Sequence, residues 1–244
     1  MTLVLDRGGT SMDHVAIGVP DTEKGVALVS EQLGFTPTST EPPLDQFYWS
    51  HALSLGSGRF LEILGPNPLY RGFNPFMEMV KQLKKPSPLF WYIATDDFSA
   101  FVSKAKQIGS PVWNIQTIKR DIRGVPTDFT RGIIGPGFLS VCPNVIEWRK
   151  KHHILTDGEG PEFLGLELAH PEAIRLNRIF QDLGINQNVT PGPHRVGLKL
   201  ATPKGEAEFV GDGLELRGAS AVFRMTSMFF KWLLNRRLQA AEPN

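Results

Sequence analysis

Glu62 is the residue whose sequence surroundings most need a chemical explanation. It lies between Leu61 and Ile63 in a short apolar run, and side chains alternate between the two faces of a strand, so its carboxylate should point away from both. Burying a carboxylate is costly unless a cation or hydrogen-bond donors compensate it. The pattern therefore predicts either a bound cation or a structural carboxylate paired with Arg59 or Arg149.

Several other kinds of active site are excluded by the sequence. The single cysteine, Cys142, rules out an internal disulfide and a Cys-based zinc site. No Gly-x-Ser-x-Gly, P-loop or dinucleotide-binding pattern occurs. Lys and Arg number 26 against 25 Asp and Glu, so no charge excess indicates a nucleic-acid partner. No apolar run reaches the ~20 residues that span a bilayer, and we expect a cytoplasmic protein.

A unit of one strand, one helix and three strands recurs along the chain, with turn residues between its elements. The first copy is predicted at residues 13–19, 22–33, 35–39, 47–55 and 60–64. The second is predicted at 89–95, 98–108, 112–118, 129–134 and 144–148. A fainter third copy is predicted at 163–169, 171–183, 185–189, 195–201 and 206–210.

These units predict an α+β protein with three regions. Paired βαβββ modules at 13–66 and 88–150 form one region (13–150), and a weaker third module occupies 161–218. Residues 219–240 form an amphipathic C-terminal helix, expected to cover the third module or to make a dimer contact rather than to lie on a membrane. An odd number of units would leave one without a partner unit in the same chain, so a homodimer is a further expectation.

Three stretches carry a resemblance to a known family. They are residues 12–21 (MDHVAIGVPD), 58–65 (GRFLEILG) and 143–148 (PNVIEW). Together with the repeated βαβββ unit, they resemble the vicinal-oxygen-chelate superfamily, and within it the glyoxalase-like domain group of the glyoxalase, bleomycin-resistance and extradiol-dioxygenase fold. The resemblance implies that two modules pair into a curved mixed sheet, with strands ordered 1-4-3-2 in each module and a divalent metal on the concave face.

The resemblance also implies which residues would hold the metal. His14 and Glu62 match the ligand positions of the first module, and Glu147 matches the carboxylate of the second. Phe90 stands where the family pattern has a second histidine. Glu147 is therefore expected as a third ligand, as the general base for a proton next to a carbonyl, or as a paired structural carboxylate. The alternative for His14 is a structural histidine that is hydrogen-bonded by Asp13 or by the backbone.

His51 is a candidate replacement for the missing histidine. A two-residue turn at Gly56-Ser57 would pair positions whose numbers sum to 113, which places His51 opposite Glu62. With the strand order that the resemblance implies, His14, Glu62 and His51 would then share one face. Two histidines and one carboxylate form the facial set of non-haem iron sites. One more residue in the turn would move His51 away.

The residues around these positions predict a pocket for a small molecule. Many aromatic side chains lie in the candidate strands, and about half of them should point to the concave face of the sheet. Four arginines would add orienting charges, namely Arg59, Arg120, Arg123 and Arg131. Such a pocket suits a partly apolar small molecule with an oxygen or carboxylate handle.

The function expected from the resemblance is a metal-dependent glyoxalase-like enzyme of isomerase or lyase type. Its divalent metal would be Fe, Mn, Ni or Zn, acting as a Lewis acid on neighbouring substrate oxygens. Two alternatives stay open, a metal-free small-molecule binding or resistance protein, which Phe90 favours, and a non-haem iron dioxygenase.

Overall fold

A computed structural model describes residues 10–40, 46–122, 125–135, 141–151 and 158–211 of the 244-residue chain. The first unit contains β1 (Ser11–Gly18), α1 (Thr22–Leu33), β2 (Thr38–Ser39), β3 (Tyr48–Ser54) and β4 (Phe60–Pro66). The Asp21 side chain caps the start of α1 by accepting a hydrogen bond from the Lys24 backbone. The helix stops at Gly34, whose φ of 78° lies in the left-handed region that glycine tolerates.

The second unit follows a short connecting helix, α2 (Pro75–Val80). The unit contains β5 (Ser87–Ala94), α3 (Phe98–Gln107), β6 (Val112–Ile122), β7 (Val125–Ile134) and β8 (Asn144–Lys150). Asp97 caps α3 by accepting a hydrogen bond from the Ala100 backbone. Both units therefore reproduce the βαβββ order that the sequence predicts.

The two units form one curved eight-stranded sheet in the order β2-β3-β4-β1-β5-β8-β7-β6. Within each unit the first strand lies parallel to the fourth, β1 beside β4 and β5 beside β8. The units join where β1 and β5 run antiparallel at the centre of the sheet. The α+β fold with a curved mixed sheet is thus confirmed, and its 1-4-3-2 order brings the first and fourth strands together.

The alternation of side chains along β4 separates the two faces of this sheet. Leu61 and Ile63 are fully buried in the core that packs under the helices on the convex side. Phe60 and Glu62 line the concave side. One end of the concave side is closed by α2, whose buried Phe76 packs in the same cluster as β4 and β5 residues.

The third unit has the predicted order of elements but a different strand order. It contains β9 (Glu162–His170), α4 (Ala173–Leu183), β10 (Val189–Pro191), β11 (Arg195–Thr202) and β12 (Gly205–Gly211). Its four strands are ordered β10-β9-β11-β12, so the first strand pairs with the second and third instead of the fourth. The unit is therefore a separate four-stranded sheet rather than a third copy of the module. The expected helix at 219–240, and the end of the third module after Gly211, lie outside the described residues.

The small sheet packs against the convex side of the large one. Inward-facing Leu166 and Leu198 belong to the same apolar core as Leu61 and Ile63. Trp91 of β5 meets Phe180 of α4 with ring centroids 6.2 Å apart. One continuous core therefore joins the two sheets. In the described part of the chain, no helix is long and apolar enough to cross a membrane.

Candidate functional site

A cavity on the concave side of the large sheet has an inner and an outer part. The inner part, of about 40 Å³, is bordered by residues of β1, β3, β4, β5, β6, β7 and β8. The outer part, of about 270 Å³, extends toward α2. Both parts share four polar side chains, which are Tyr48, Glu62, Tyr92 and Arg131. A molecule bound here therefore meets these four groups at the junction.

His14 lies in the inner part of the cavity and is held on three sides. The pairing of β1 with β5 shifts between Met12 and His14, and this bulge lets the consecutive side chains of Asp13 and His14 meet. The Nδ1–H of His14 donates to Oδ1 of Asp13 at 2.6 Å. The imidazole is stacked between Phe60 and Tyr92, with centroid distances of 4.4 and 4.2 Å. Among the described residues nothing bonds to Nε2, which is left for a bound molecule.

Asp13 connects the histidine to two further residues. Its Oδ2 accepts hydrogen bonds from Nε1 of Trp148 at 3.0 Å and from Nζ of Lys151 at 2.6 Å. Burial alone would raise the pKa of the Asp13 carboxyl, but the hydrogen bond and charge of His14, with the charge of Lys151, hold that pKa below its ordinary value. Asp13 is therefore ionised at neutral pH and fixes the proton of His14 on Nδ1.

Acid should weaken the fold through Asp13. A carboxyl whose pKa is lower in the folded state stabilises that state above its unfolded pKa, and this stability is lost as pH falls through the folded pKa. We expect the free energy of unfolding to drop more steeply below about pH 4 in the wild type than in Asp13→Asn. Urea unfolding of both proteins at neutral and acid pH measures this difference in the free energy of unfolding. Equal slopes would contradict the role of Asp13.

Glu62 reaches the cavity as the alternation along β4 predicts. It lies at the junction of the two parts, half-buried, and no described residue donates a hydrogen bond to its carboxylate. Neither arginine proposed as its structural partner pairs with it. Arg149 binds Asp128 through Nε at 3.1 Å, and Arg59 packs over Phe163 on the other side of the sheet. Its carboxylate is thus available to a bound molecule.

Two of the four expected arginines face the cavity. Arg131 donates to Oε1 of Gln116 through Nη2 at 3.1 Å, and its Nη1 lies 3.5 Å from the hydroxyl of Tyr92. Burial is the main reason why the pKa of that hydroxyl is raised, so Tyr92 stays neutral. Arg120 donates to the hydroxyl of Tyr48 at 3.4 Å. Arg123 lies outside the described residues.

Arg120 also carries an unsatisfied hydrogen-bond donor. Its Nε is buried and has no partner among the described residues, and its guanidinium lies 5.8 Å from the centroid of the Phe129 ring. A buried donor without an acceptor costs free energy. The Nε of Arg120 is therefore free to bind an acceptor that the described residues do not supply.

Glu147 lies on the opposite face of the sheet from the position that the family pattern implies. Along β8, Ile146 and Trp148 border the cavity, so Glu147 between them points to the convex side. Its Oε1 accepts a hydrogen bond from the Phe98 backbone at 3.0 Å, at the first residue of α3. A carboxylate here stabilises the helix N-terminus, which corresponds to the structural alternative.

His51 does not lie opposite Glu62. The turn after β3 has three residues with positive φ, Gly56, Ser57 and Gly58, one more than expected. Paired positions therefore sum to 114, with His51 opposite Ile63 and Ala52 opposite Glu62. The expected two-residue turn is wrong. His51 borders the inner cavity, but its ring contacts Trp49 and burial lowers its pKa.

The expected set of metal ligands is not assembled. Within the described ranges, no three His, Cys, Asp or Glu side chains come close enough together to hold a metal ion. His14, Glu62 and His51 border the cavity, but His51 pairs with Ile63 instead of Glu62, and Glu147 faces away. Phe90 faces the cavity where a second histidine was expected. These residues do not fit the three or four protein ligands of a typical divalent site.

The sequence interpretation counted Tyr48 and Tyr92 only among the aromatic residues that could line the pocket, and it treated Asp13 only as a structural partner. The sequence does show that Asp13 and His14 are neighbours in a strand. Their side chains meet only because the strand has a bulge there. Tyr92 was detectable from its place two residues after Phe90, on the same face. Tyr48 gave no comparable signal, since the phase of β3 depends on the length of the turn that follows.

Comparisons with known proteins agree with this fold. The model of the glyoxalase-like domain family matches residues 12–185. A search of the curated proteins finds no match. Among solved structures, the chain is similar to a hypothetical protein from Staphylococcus aureus, with a TM-score of 0.55 and 10% identity over 82% of this chain and 84% of that chain.

Two enzyme structures are also similar. A mutant of 4-hydroxymandelate synthase from Streptomyces coelicolor matches with a TM-score of 0.51 and 12% identity, over 83% of this chain and 63% of that chain. Methylmalonyl-CoA epimerase from Mycobacterium tuberculosis matches with a TM-score of 0.42 and 14% identity, over 63% of this chain and 95% of that chain. At 12% identity the likeness to the synthase concerns the fold alone, and the weaker likeness to the epimerase supports no conclusion. Since the family match covers more than half of the sequence, the chain belongs to the glyoxalase-like domain family, within the vicinal-oxygen-chelate superfamily.

Proposed function

We propose that this chain is a glyoxalase-like enzyme of isomerase or lyase type, which moves a proton on a small, partly apolar molecule with neighbouring oxygens. The observation that carries the proposal is the pair of Asp13 and His14. The aspartate fixes the proton of the imidazole on Nδ1, so the basic Nε2 remains for the cavity. A histidine oriented in this way by a carboxylate is a competent general base.

The proposed step begins when Nε2 of His14 takes a proton from a carbon next to a carbonyl group. The electron pair of the broken C–H bond moves to the carbonyl oxygen, which becomes an enolate. Arg131, which lines both parts of the cavity, supplies the positive charge that stabilises this oxygen. Return of the proton to the same or the neighbouring carbon gives the isomer, and no oxidant or further reactant is needed.

Glu62 gives the site a second group that can exchange a proton. It lies at the junction of the cavity and has no donor among the described residues. We propose that its carboxylate binds a hydroxyl of the substrate or passes a proton between the two oxygens. This would let His14 act on carbon while Glu62 acts on oxygen.

A divalent metal is common in the superfamily, whose members include metal-dependent isomerases and dioxygenases. In this chain His14, Glu62 and His51 all border the cavity. Among the described residues, however, no three His, Cys, Asp or Glu side chains come close enough together to hold a metal ion, whereas a typical catalytic site has three protein ligands. The proposed proton transfer therefore assigns no step to a metal. The dioxygenase alternative needed His51 beside Glu62, and the register of β3 does not provide it.

Deuterium exchange tests the proposal. In heavy water, the wild-type protein should speed the incorporation of deuterium into pyruvate, 2-oxobutanoate or hydroxyacetone, measured by proton NMR. His14→Gln should abolish the gain because the base is lost, and His170→Gln, in the third unit, should leave it unchanged. Exchange that is absent in the wild type, or equal in His14→Gln, would contradict the proposal.

A second candidate function is binding without catalysis. Phe90 in place of a histidine favours it, because an aromatic wall binds ligands by stacking and burial. In that case the cavity would bind small molecules equally well in the wild type and in His14→Gln, and neither protein would catalyse exchange.

A further inference from the structure

We infer that the natural ligand of this cavity is a carboxylate with a single negative charge and an aryl or similarly sized apolar group, its carboxylate bound at Arg120 and its apolar group in the outer part. The inference rests on the proposed function, because it names the class of molecule on which the same site acts. It follows from charge, from one unsatisfied donor and from the apolar lining.

The charges around the cavity leave one positive charge uncompensated. Besides His14, the charged side chains among its described lining residues are Arg120, Arg131 and Glu62. Two arginines against one glutamate require one further negative charge from the ligand. A dianion would bring an excess negative charge next to Glu62, and a neutral molecule would leave one arginine without a counter-charge.

Arg120 is the arginine prepared for this charge. Arg131 already binds Gln116 through two of its nitrogens. Arg120 has a buried Nε without a partner in the described part of the chain, and its single hydrogen bond to Tyr48 is long. A carboxylate has two oxygens in the plane that a guanidinium presents, so it can satisfy Nε and a terminal nitrogen together.

The outer part of the cavity fits the apolar group. Its volume is about 270 Å³, and its walls include the rings of Phe47, Phe76 and Phe90 with Leu64 and Ile133. An apolar cavity of about 150 Å³ already holds benzene. Space therefore remains for a phenyl ring and a short chain leading to the junction.

This placement orients the ligand toward the base. Arg120 and His14 both line the inner part of the cavity, so a carboxylate bound at Arg120 brings the adjoining carbon into the space that His14 borders. The ring then extends past the junction at Tyr92 and Arg131. One binding mode thus accounts for the charged inner part and the apolar outer part.

Calorimetric titration with four probes tests charge and size separately. The probes are 3-phenylpropanoate, propanoate, the neutral 3-phenylpropanamide and the dianionic phenylsuccinate. We expect 3-phenylpropanoate to bind about 10- to 100-fold more tightly than each of the others, since a hydrogen-bonded charge and a buried ring each contribute in this range. Equal affinity for the amide or for phenylsuccinate would overturn the assignment of a single negative charge.

Two pairs of variants localise the effect. Arg120→Met should weaken 3-phenylpropanoate binding about 10- to 100-fold, while Arg59→Met, a matched arginine that packs over Phe163 on the convex side, should not. Phe90→Leu should weaken 3-phenylpropanoate but not propanoate, and Phe73→Leu, which is 76% exposed, should affect neither. An equal loss in Arg120→Met and Arg59→Met would overturn the inference.

These titrations measure binding and the exchange experiment measures reaction, so the two failures are distinguishable. Selective binding of 3-phenylpropanoate without deuterium exchange would support the ligand class and contradict the proton transfer. Exchange with no preference among the four probes would support the proton transfer and overturn the ligand class.

Discussion

Replacing Asp13 with Asn should slow deuterium exchange by about 10²- to 10⁴-fold, the range that a correctly oriented general base contributes. The amide of asparagine can present its NH₂ group to Nδ1, which moves the imidazole proton to Nε2. His14 would then offer a donor where the reaction needs a base. The substitution changes no volume, so the stacking of His14 between Phe60 and Tyr92 should persist.

Asp128→Asn is the matched control for this prediction. Asp128 is a strand carboxylate that binds an arginine, and it has no contact with His14. The exchange rate of both variants, with near-ultraviolet circular dichroism as a check of packing, decides the matter. Full activity in Asp13→Asn would show that Asp13 does not orient the base.

Replacing Phe180 with Ala should destabilise the eight-stranded sheet, although Phe180 belongs to the unit that forms the four-stranded sheet. Its ring is 1% exposed and contacts Trp91 of β5 in the core that joins both sheets. Loss of a buried phenylalanine ring costs about 3–5 kcal/mol. Because the core is continuous, we expect one unfolding transition that shifts to lower denaturant for both sheets.

Amide hydrogen exchange of β1 and β11 measures that coupling directly. Protection should fall in both strands in Phe180→Ala. Ile174→Ala on the same helix is the control, because Ile174 is 86% exposed and should change stability by less than about 0.5 kcal/mol. Reduced protection confined to β11 would show that the small sheet unfolds independently.

The βαβββ order and the placement of Glu62 were predictable because they depend on local alternation. Along β4 each apolar residue that faces the helices is followed by one that faces the cavity. This alternation can be predicted from the strand's own sequence, without knowing which strands lie beside it. The strand order within the first two units came from the resemblance instead.

Glu147 and His51 were misplaced for a shared reason. Their positions depend on the phase of a strand, which one residue in a turn or bulge reverses. Gly56, Ser57 and Gly58 form a three-residue turn where two residues were expected. The strand order of the third unit was equally out of reach, since the pairing of β9 with β10 and β11 depends on packing between sheets.

The central position of β1 has a consequence for biosynthesis. Its two neighbours in the sheet are β4 and β5, which follow it in the chain, and Ser11 pairs with Ala94. During translation, β1 therefore emerges first and cannot be paired on both edges until the second unit has begun. Chains emerge at about 5–20 residues per second, so this apolar strand stays open on one edge for several seconds. A chaperone that binds β1 on the nascent chain would prevent this open strand edge from pairing with other chains during those seconds.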